Sequence, residues 1–214
     1  ISNLSMSAVD GGLFHTISAG AKVSNLILRQ PIINSNGSSG LLARTNNGQI
    51  SDCAVIDGRL VSRSGANLGG IVYENNDQGV IERTFVAGGF VSCEYTNYPT
   101  TIGGFIANNR GSITECYANL SVNAPQAKWV GGFVGQQIRG TLSDCYTMGS
   151  VNAASDSGGF CGRLGENATL INCYSSNDVT VTSGGSPFIG VLQWGGQTTV
   201  NCYYNADKSL PQGG

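Results

Sequence analysis

The sequence predicts an all-β chain wound as a right-handed parallel β-helix of about seven to eight coils, with a repeat of ~29 residues. Three observations predict it. A Gly-Gly step followed by a large apolar residue recurs along the chain. A cysteine, or a residue in its place, follows ~12–15 residues later. No segment carries a 3.6-residue apolar period long enough for a helix of ordinary length.

The recurrence is read from the marker at Cys145. Its equivalents are Leu4, Leu26, Cys53, Thr84, Cys116, Cys173 and Cys202. Three residues before them stand Ile1, Val23, Ile50, Ile81, Ile113, Leu142 and Leu170, with Thr199 in the last unit. Upstream lie the steps Gly11-Gly12, Gly69-Gly70, Gly103-Gly104, Gly131-Gly132 and Gly158-Gly159, varied as Ser39-Gly40 and Ser186-Pro187. Leu13, Leu41, Ile71, Phe105, Phe133, Phe160 and Phe188 follow them.

Each unit then offers three short strands, exemplified by "GGFVG", "TLSDCYT" and "GSVN" within 131–152. Stacked coil on coil, equivalent residues form columns spaced ~4.8 Å apart. A single coil cannot bury its apolar side, so stability comes from the stack. The right hand follows from the general bias of parallel crossovers rather than from any residue.

Composition agrees. Of 214 residues, 32 are Gly, only 11% are charged and 40% are hydrophobic, which suits an ordered chain of short strands and tight turns. A net charge of −2 supplies no basic field for nucleic acid. No apolar run is long enough for a membrane span. The chain opens at Ile1 inside the pattern, without initiator Met or signal peptide. Residues 1–205 therefore read as one repeat domain, a fragment of a longer solenoid with an incomplete first coil, and 206–214 as a cap or linker tail.

These units resemble the GLUG repeat of bacterial surface exoproteins, filamentous-haemagglutinin-like adhesins and the non-catalytic part of some IgA-specific metallopeptidases. The stretches "GGLFHTISAGAKVSNLIL", "GGFVGQQIRGTLSDCYTMGSV" and "VNCYYNADKSLPQGG" carry the resemblance. It implies a secreted or cell-surface framework rather than a catalyst. The zinc motif of those peptidases, HExxH, does not occur in this chain.

The seven cysteines form no CxxC or Cys/His cluster, and His15 is the one histidine, so neither a metal centre nor a His-based triad is expected. Cys53, Cys116, Cys145, Cys173 and Cys202 alternate with Leu and Thr at one place in the repeat. A nucleophile cannot be exchanged for leucine, so they read as a structural core ladder, with disulfides between neighbouring coils as the rival. Cys161 also reads as structural, standing where other units have Val134 and Ile106 or Ala107. Cys93 has no counterpart and is expected to be exposed or reactive.

If the marker points inward, its neighbours point outward. One neighbouring set is Asp52, Arg83, Glu115, Asp144, Asn172 and Asn201, with Arg83 expected between Asp52 and Glu115. The other is Ala54, Phe85, Tyr117, Tyr146, Tyr174 and Tyr203. These stripes read as a solvated face or as a glycan-binding surface on which tyrosine rings pack against sugars. Glu115 with Asp144 is the catalytic runner-up, because carboxylates ~5 Å apart suit a retaining glycosidase.

The long segment 87–101 adds Cys93, Tyr95, Tyr98 and Pro99, and projecting loops of solenoids often bind. Trp129 and Trp194 lie off the columns, and His15 reads as a turn or surface residue. The leading expectation is a non-enzymatic adhesin or stalk segment for glycans or host surface proteins, without cofactor. The alternatives are a polysaccharide-active lyase or glycosidase, and a structural fibre segment that self-associates.

Overall fold

The computed structural model describes residues 1–95, 100–193 and 195–208. These contain strands and turns and no helix. The chain winds as a β-solenoid of about seven turns, and every strand pair is parallel.

Three sheets make three faces. The first stacks seven strands: Phe14–Ile17, Ala43–Asn46, Val72–Asn75, Ile106–Asn109, Val134–Gln137, Cys161–Leu164 and Ile189–Leu192. The second stacks Lys22–Ser24, Gln49–Ser51, Val80–Glu82, Ser112–Thr114, Gly140–Ser143, Ala168–Ile171 and Thr198–Val200. The third is built on Ala54–Ser62, Phe85–Cys93, Tyr117–Lys128, Tyr146–Gly158 and Tyr174–Ser186. Its strands grow from 9 residues at Ala54–Ser62 to 13 at Tyr174–Ser186.

The Gly-Gly step does not start the first-face strand, as expected from "GGFVG", but precedes it. Two-residue strands such as Ile102–Gly103 and Val130–Gly131 close the third sheet, and the second glycine turns the corner. In the coils of Gly104 and Gly132 glycine is needed there because the coils approach too closely for a side chain, although Leu41 and Pro187 stand in the same column in other coils. A Cβ on Gly104 would lie 2.1 Å from the carbonyl oxygen of Gly132. The next residue points inward: Phe105, Phe133, Phe160 and Phe188 stack with centroids 4.7, 5.0 and 5.1 Å apart. Each buried ring contributes ~1.5–3 kcal/mol by leaving water.

"TLSDCYT" is likewise two strands. Asp144 breaks it at φ 54°, after which Tyr146 begins the long third-face strand that contains "GSVN". Residues before the marker turn this corner in every coil: Asn25, Asp52, Arg83, Glu115, Asp144, Asn172 and Asn201 have φ between 45° and 56°. Asn and Asp tolerate that left-handed conformation best, which explains their prevalence.

The first marker needs correction. Leu4 does not share the column of Leu26: Ser5 pairs with Ile32, and Ser2 bridges to Arg29, so Leu4 falls beside Pro31. The sequences "ISNLSM" and "VSNLIL" look alike because Asn3 and Asn25 both take φ 56°. They are different corners. Asn3 belongs with Gln30 and Asp57, which bend the third face at φ 53° each.

The core fills the prism. Ile50, Ile81, Ile113, Leu142 and Leu170 form one fully buried column of the second face. Leu28, Val55, Val86 and Ala118 line the third. At the end of the first face the column turns polar: Asn46, Asn75, Asn109 and Gln137 are all fully buried.

Candidate functional site

The marker column lies behind the corner. Register places Leu26, Cys53, Thr84, Cys116, Cys145, Cys173 and Cys202 in one line, because the residues that follow them pair along the third sheet. Cys53, Cys116, Cys145 and Cys173 are buried and Cys202 is half-buried; all are free thiols. Their Sγ atoms donate to carbonyls two residues back, as Cys145 does to Ser143 at 3.1 Å. Thr84 makes the same contact with its hydroxyl, to Glu82 at 2.9 Å. This shared bond explains how cysteine and threonine exchange here.

Burial pushes up the thiols of Cys53, Cys145 and Cys161, the last to about 12. Cys161 sits between Val134 and Ile189 on the first face. Cys93, expected to be exposed, is fully buried, and burial raises its thiol. It has counterparts after all. Ser62 pairs with it and Ser35 with Ser62, one inner column of small residues that continues through Ala124 and Ala153.

The corner column carries the acids and amides. Arg83 does not bridge Asp52 and Glu115; it donates to Asp52 at 2.7 and 3.1 Å and to its neighbour Glu82 at 3.0 Å. Hydrogen bonding from Arg83 lowers both carboxyls. Asn172 donates to Asp144 at 2.8 Å, and Asn201 to Asn172 at 3.1 Å. Glu115 and Asp144 occupy adjacent coils of this column, both exposed on left-handed corner residues. The acid pair is therefore an edge of the prism with one member held in an amide ladder.

Tyrosines begin the long face beside that corner. Phe85, Tyr117, Tyr146, Tyr174 and Tyr203 are in register along five coils. Tyr146 is 38% exposed, Tyr174 39% and Tyr203 64%. Phe85 stacks on Tyr117 at 4.7 Å, and Tyr117 on Tyr146 at 4.9 Å. Both ring faces of Tyr117 are thus covered, and burial raises its phenol. The expected packing of sugars on ring faces does not apply at Tyr117, which offers its edge and hydroxyl. Two residues along, Met148 adds exposed apolar surface.

Tyr95 is exposed just beyond the strand Phe85–Cys93. Tyr98, Pro99 and Trp194 lie outside the described residues. Trp129 turns a further corner at φ 53°, with Arg163 4.6 Å over its ring. His15 is an exposed strand residue whose Nδ1 lies 3.1 Å from Thr16 Oγ1. Among the described residues no three His, Cys, Asp or Glu side chains converge on a common point.

Sequence reasoning missed the amide ladder. Asn46 donates to Asn75, Asn75 to Asn109 and Asn109 to Gln137, at 2.8, 2.8 and 2.9 Å. Each also binds the turn that follows, as Asn46 does to both main-chain groups of Gly48. The signal was present in "TNNGQ", "ENNDQG", "ANNRG" and "GQQIRG".

The fold and faces define a parallel β-solenoid framework with an aromatic stripe, and known proteins agree. Residues 153–182 match the family model described as the GLUG motif. The chain is thus a β-solenoid of about seven turns, one stretch of which matches the GLUG motif. A solved structure of an IgA1 protease superposes with a TM-score of 0.74 at 20% identity. The match covers 95% of this chain and 17% of that one, and it establishes the fold. No curated protein sequence matches.

Proposed function

We propose that this chain is a non-enzymatic repeat module of a secreted or cell-surface protein, an adhesin or stalk segment that presents its long face to host proteins or glycans. The GLUG repeat and the solenoid fit a framework module of an exported protein. The observation that carries the reading is the in-register stripe Tyr117, Tyr146, Tyr174 and Tyr203 with exposed Met148. Tyrosine supplies large amphipathic contact area with few rotors to freeze, as interface hot spots require.

Glycan and host-surface-protein arrays test it with the wild-type chain and the double variant Tyr146→Ala/Tyr174→Ala. The expected result is a specific ligand whose binding weakens at least about tenfold in the variant. No ligand on either array, or one indifferent to the variant, overturns the stripe as the binding surface.

A further inference from the structure

Away from the tyrosines, the third face of the first coils bends along Asn3, Gln30, Asp57 and Gly88, all in the left-handed region. Asn3, Gln30 and Asp57, with Ile32 and Arg59, line a recess of about 300 Å³. That is the lower end of the size range of small-ligand pockets and holds one sugar ring.

Its charges are unspent. Elsewhere on the surface Arg44 pairs with Asp10, Arg110 with Glu74, Arg139 with Asp77 and Lys208 with Asp178. Asp57 and Arg59 stand two residues apart, yet among the described residues neither side chain has an ion-pair or hydrogen-bond partner. Arg59 lies over the Phe90 ring at 5.9 Å, a cation–π contact that steadies the guanidinium. Ile32, 37% exposed, provides an apolar wall.

The backbone, by contrast, is closed. Asn3 N–H donates to Arg29 at 2.9 Å, Gln30 to Ile56 at 2.7 Å, Ile32 to Leu4 at 2.7 Å and Arg59 to Pro31 at 2.8 Å. With four of the five lining residues' main-chain N–H groups engaged, an extended peptide would find little main chain here to pair with. Recognition falls to side chains: one guanidinium, one carboxylate and two amides around an apolar patch.

We propose that this recess binds an acidic saccharide residue, a site independent of the tyrosine stripe. The sugar carboxylate meets the Arg59 fork, which matches carboxylate geometry. Ring hydroxyls meet Asp57 and the amides of Asn3 and Gln30, and the C–H face of the ring rests on Ile32.

The test is an NMR titration of the whole chain with sialyllactose and with trigalacturonate, using lactose as the neutral counterpart. One or both acidic sugars should shift the Asn3, Gln30, Asp57 and Arg59 amides. Arg59→Ala should weaken binding at least about tenfold, Arg59→Lys less, and Tyr146→Ala not at all. Both arginine variants replace an exposed side chain, and a thermal melt checks that they fold.

No shift at these amides up to ~10 mM of either acidic sugar overturns the proposal. So does equal binding of lactose, full binding by Arg59→Ala, or loss with Tyr146→Ala. A glutamate-rich peptide that binds there more tightly than both sugars reassigns the recess to peptides and overturns it too.

Discussion

The side-chain amide of Asn75 donates to Oδ1 of Asn109 at 2.8 Å, one coil away, and both residues are fully buried. Asn75 also accepts from Asn46 at 2.8 Å and donates to the Gly79 carbonyl at 3.1 Å. Removing it leaves buried polar groups on three sides without their partner. Asn75→Ala is therefore expected to cost about 2–4 kcal/mol in urea denaturation. Gln137→Leu, at the end of the ladder next to Leu164, should cost less. Equal costs at the two sites would refute a ladder that acts as a network.

The glycine column makes a steric prediction with an internal control. A methyl on Gly104 meets the Gly132 oxygen at 2.1 Å and Leu120 Cδ2 at 2.9 Å. A methyl on Gly11, the first glycine of the step in the first coil and one place before the crowded position, meets only His15 Cδ2 at 3.9 Å. Gly104→Ala should destabilise by about 2–3 kcal/mol, and Gly11→Ala by a few tenths at most. Thermal melts of the two variants decide it, and similar melting temperatures would contradict the close stacking of coils.

The parallel solenoid and its inner columns were legible because Phe133 and Cys145 recur at nearly constant spacing through the regular coils. The errors lie where local chemistry is shared by different places. Asn3 and Asn25 both turn corners in the left-handed region, so "SNL" marked two corners with one signature. Asn46, Asn75 and Asn109 precede Gly48, Gly79 and Gly111 in polar stretches that pattern alone does not distinguish from solvated turns. Only the stacking of coils, which provides an amide above and below each one, makes burying them favourable. Cys93 misled for the converse reason: its column partners Ser62 and Ser35 are small and polar, and no apolar repeat announced the position. The recess at Asp57 and Arg59 depends on a bend of the third face that no spacing reveals.

Buried thiols give the chain an alkaline weakness. Cys161 is raised from 9.0 to about 12 by burial, so its neutral form is favoured in the folded state. Its contribution is fully present below pH 9.0 and is lost as pH rises toward about 12, where the unfolded chain gains by ionising first. The slope has a ceiling of ~1.4 kcal/mol per pH unit. Cys161→Val, which matches its column neighbour Val134, should flatten part of this alkaline loss and leave stability near pH 7 little changed. Identical pH profiles for wild type and variant would contradict the burial. Cys202 behaves oppositely: the adjacent Cys173 lowers its thiol, and it is the one half-buried cysteine of the seven. Iodoacetamide at neutral pH should label Cys202 first and reach Cys145 and Cys161 only on unfolding, as peptide mass mapping will show.

Glu115 sits, at a φ of 53°, at a corner that its equivalents other than Arg83 fill with Asn or Asp: Asn25, Asp52, Asp144, Asn172 and Asn201. A glutamate side chain gains nothing locally from that conformation, whereas asparagine's short amide stabilises it. Among the described residues the Glu115 side chain also has no hydrogen-bond or ion-pair partner, unlike those of Asp144 and Asn172 beside it. Glu115→Asn should therefore stabilise the chain by about 0.5–1 kcal/mol, since a left-handed L-residue otherwise carries a strain of about 1–2 kcal/mol. The same variant separates the two roles offered by the sequence. As a strained corner, Glu115 can be replaced with a higher melting temperature and unchanged ligand binding. As half of a catalytic acid pair, its replacement would abolish reducing-sugar release from polysaccharide substrates. A lower melting temperature together with lost sugar release would reinstate Glu115 and Asp144 as an active site and displace the non-enzymatic reading.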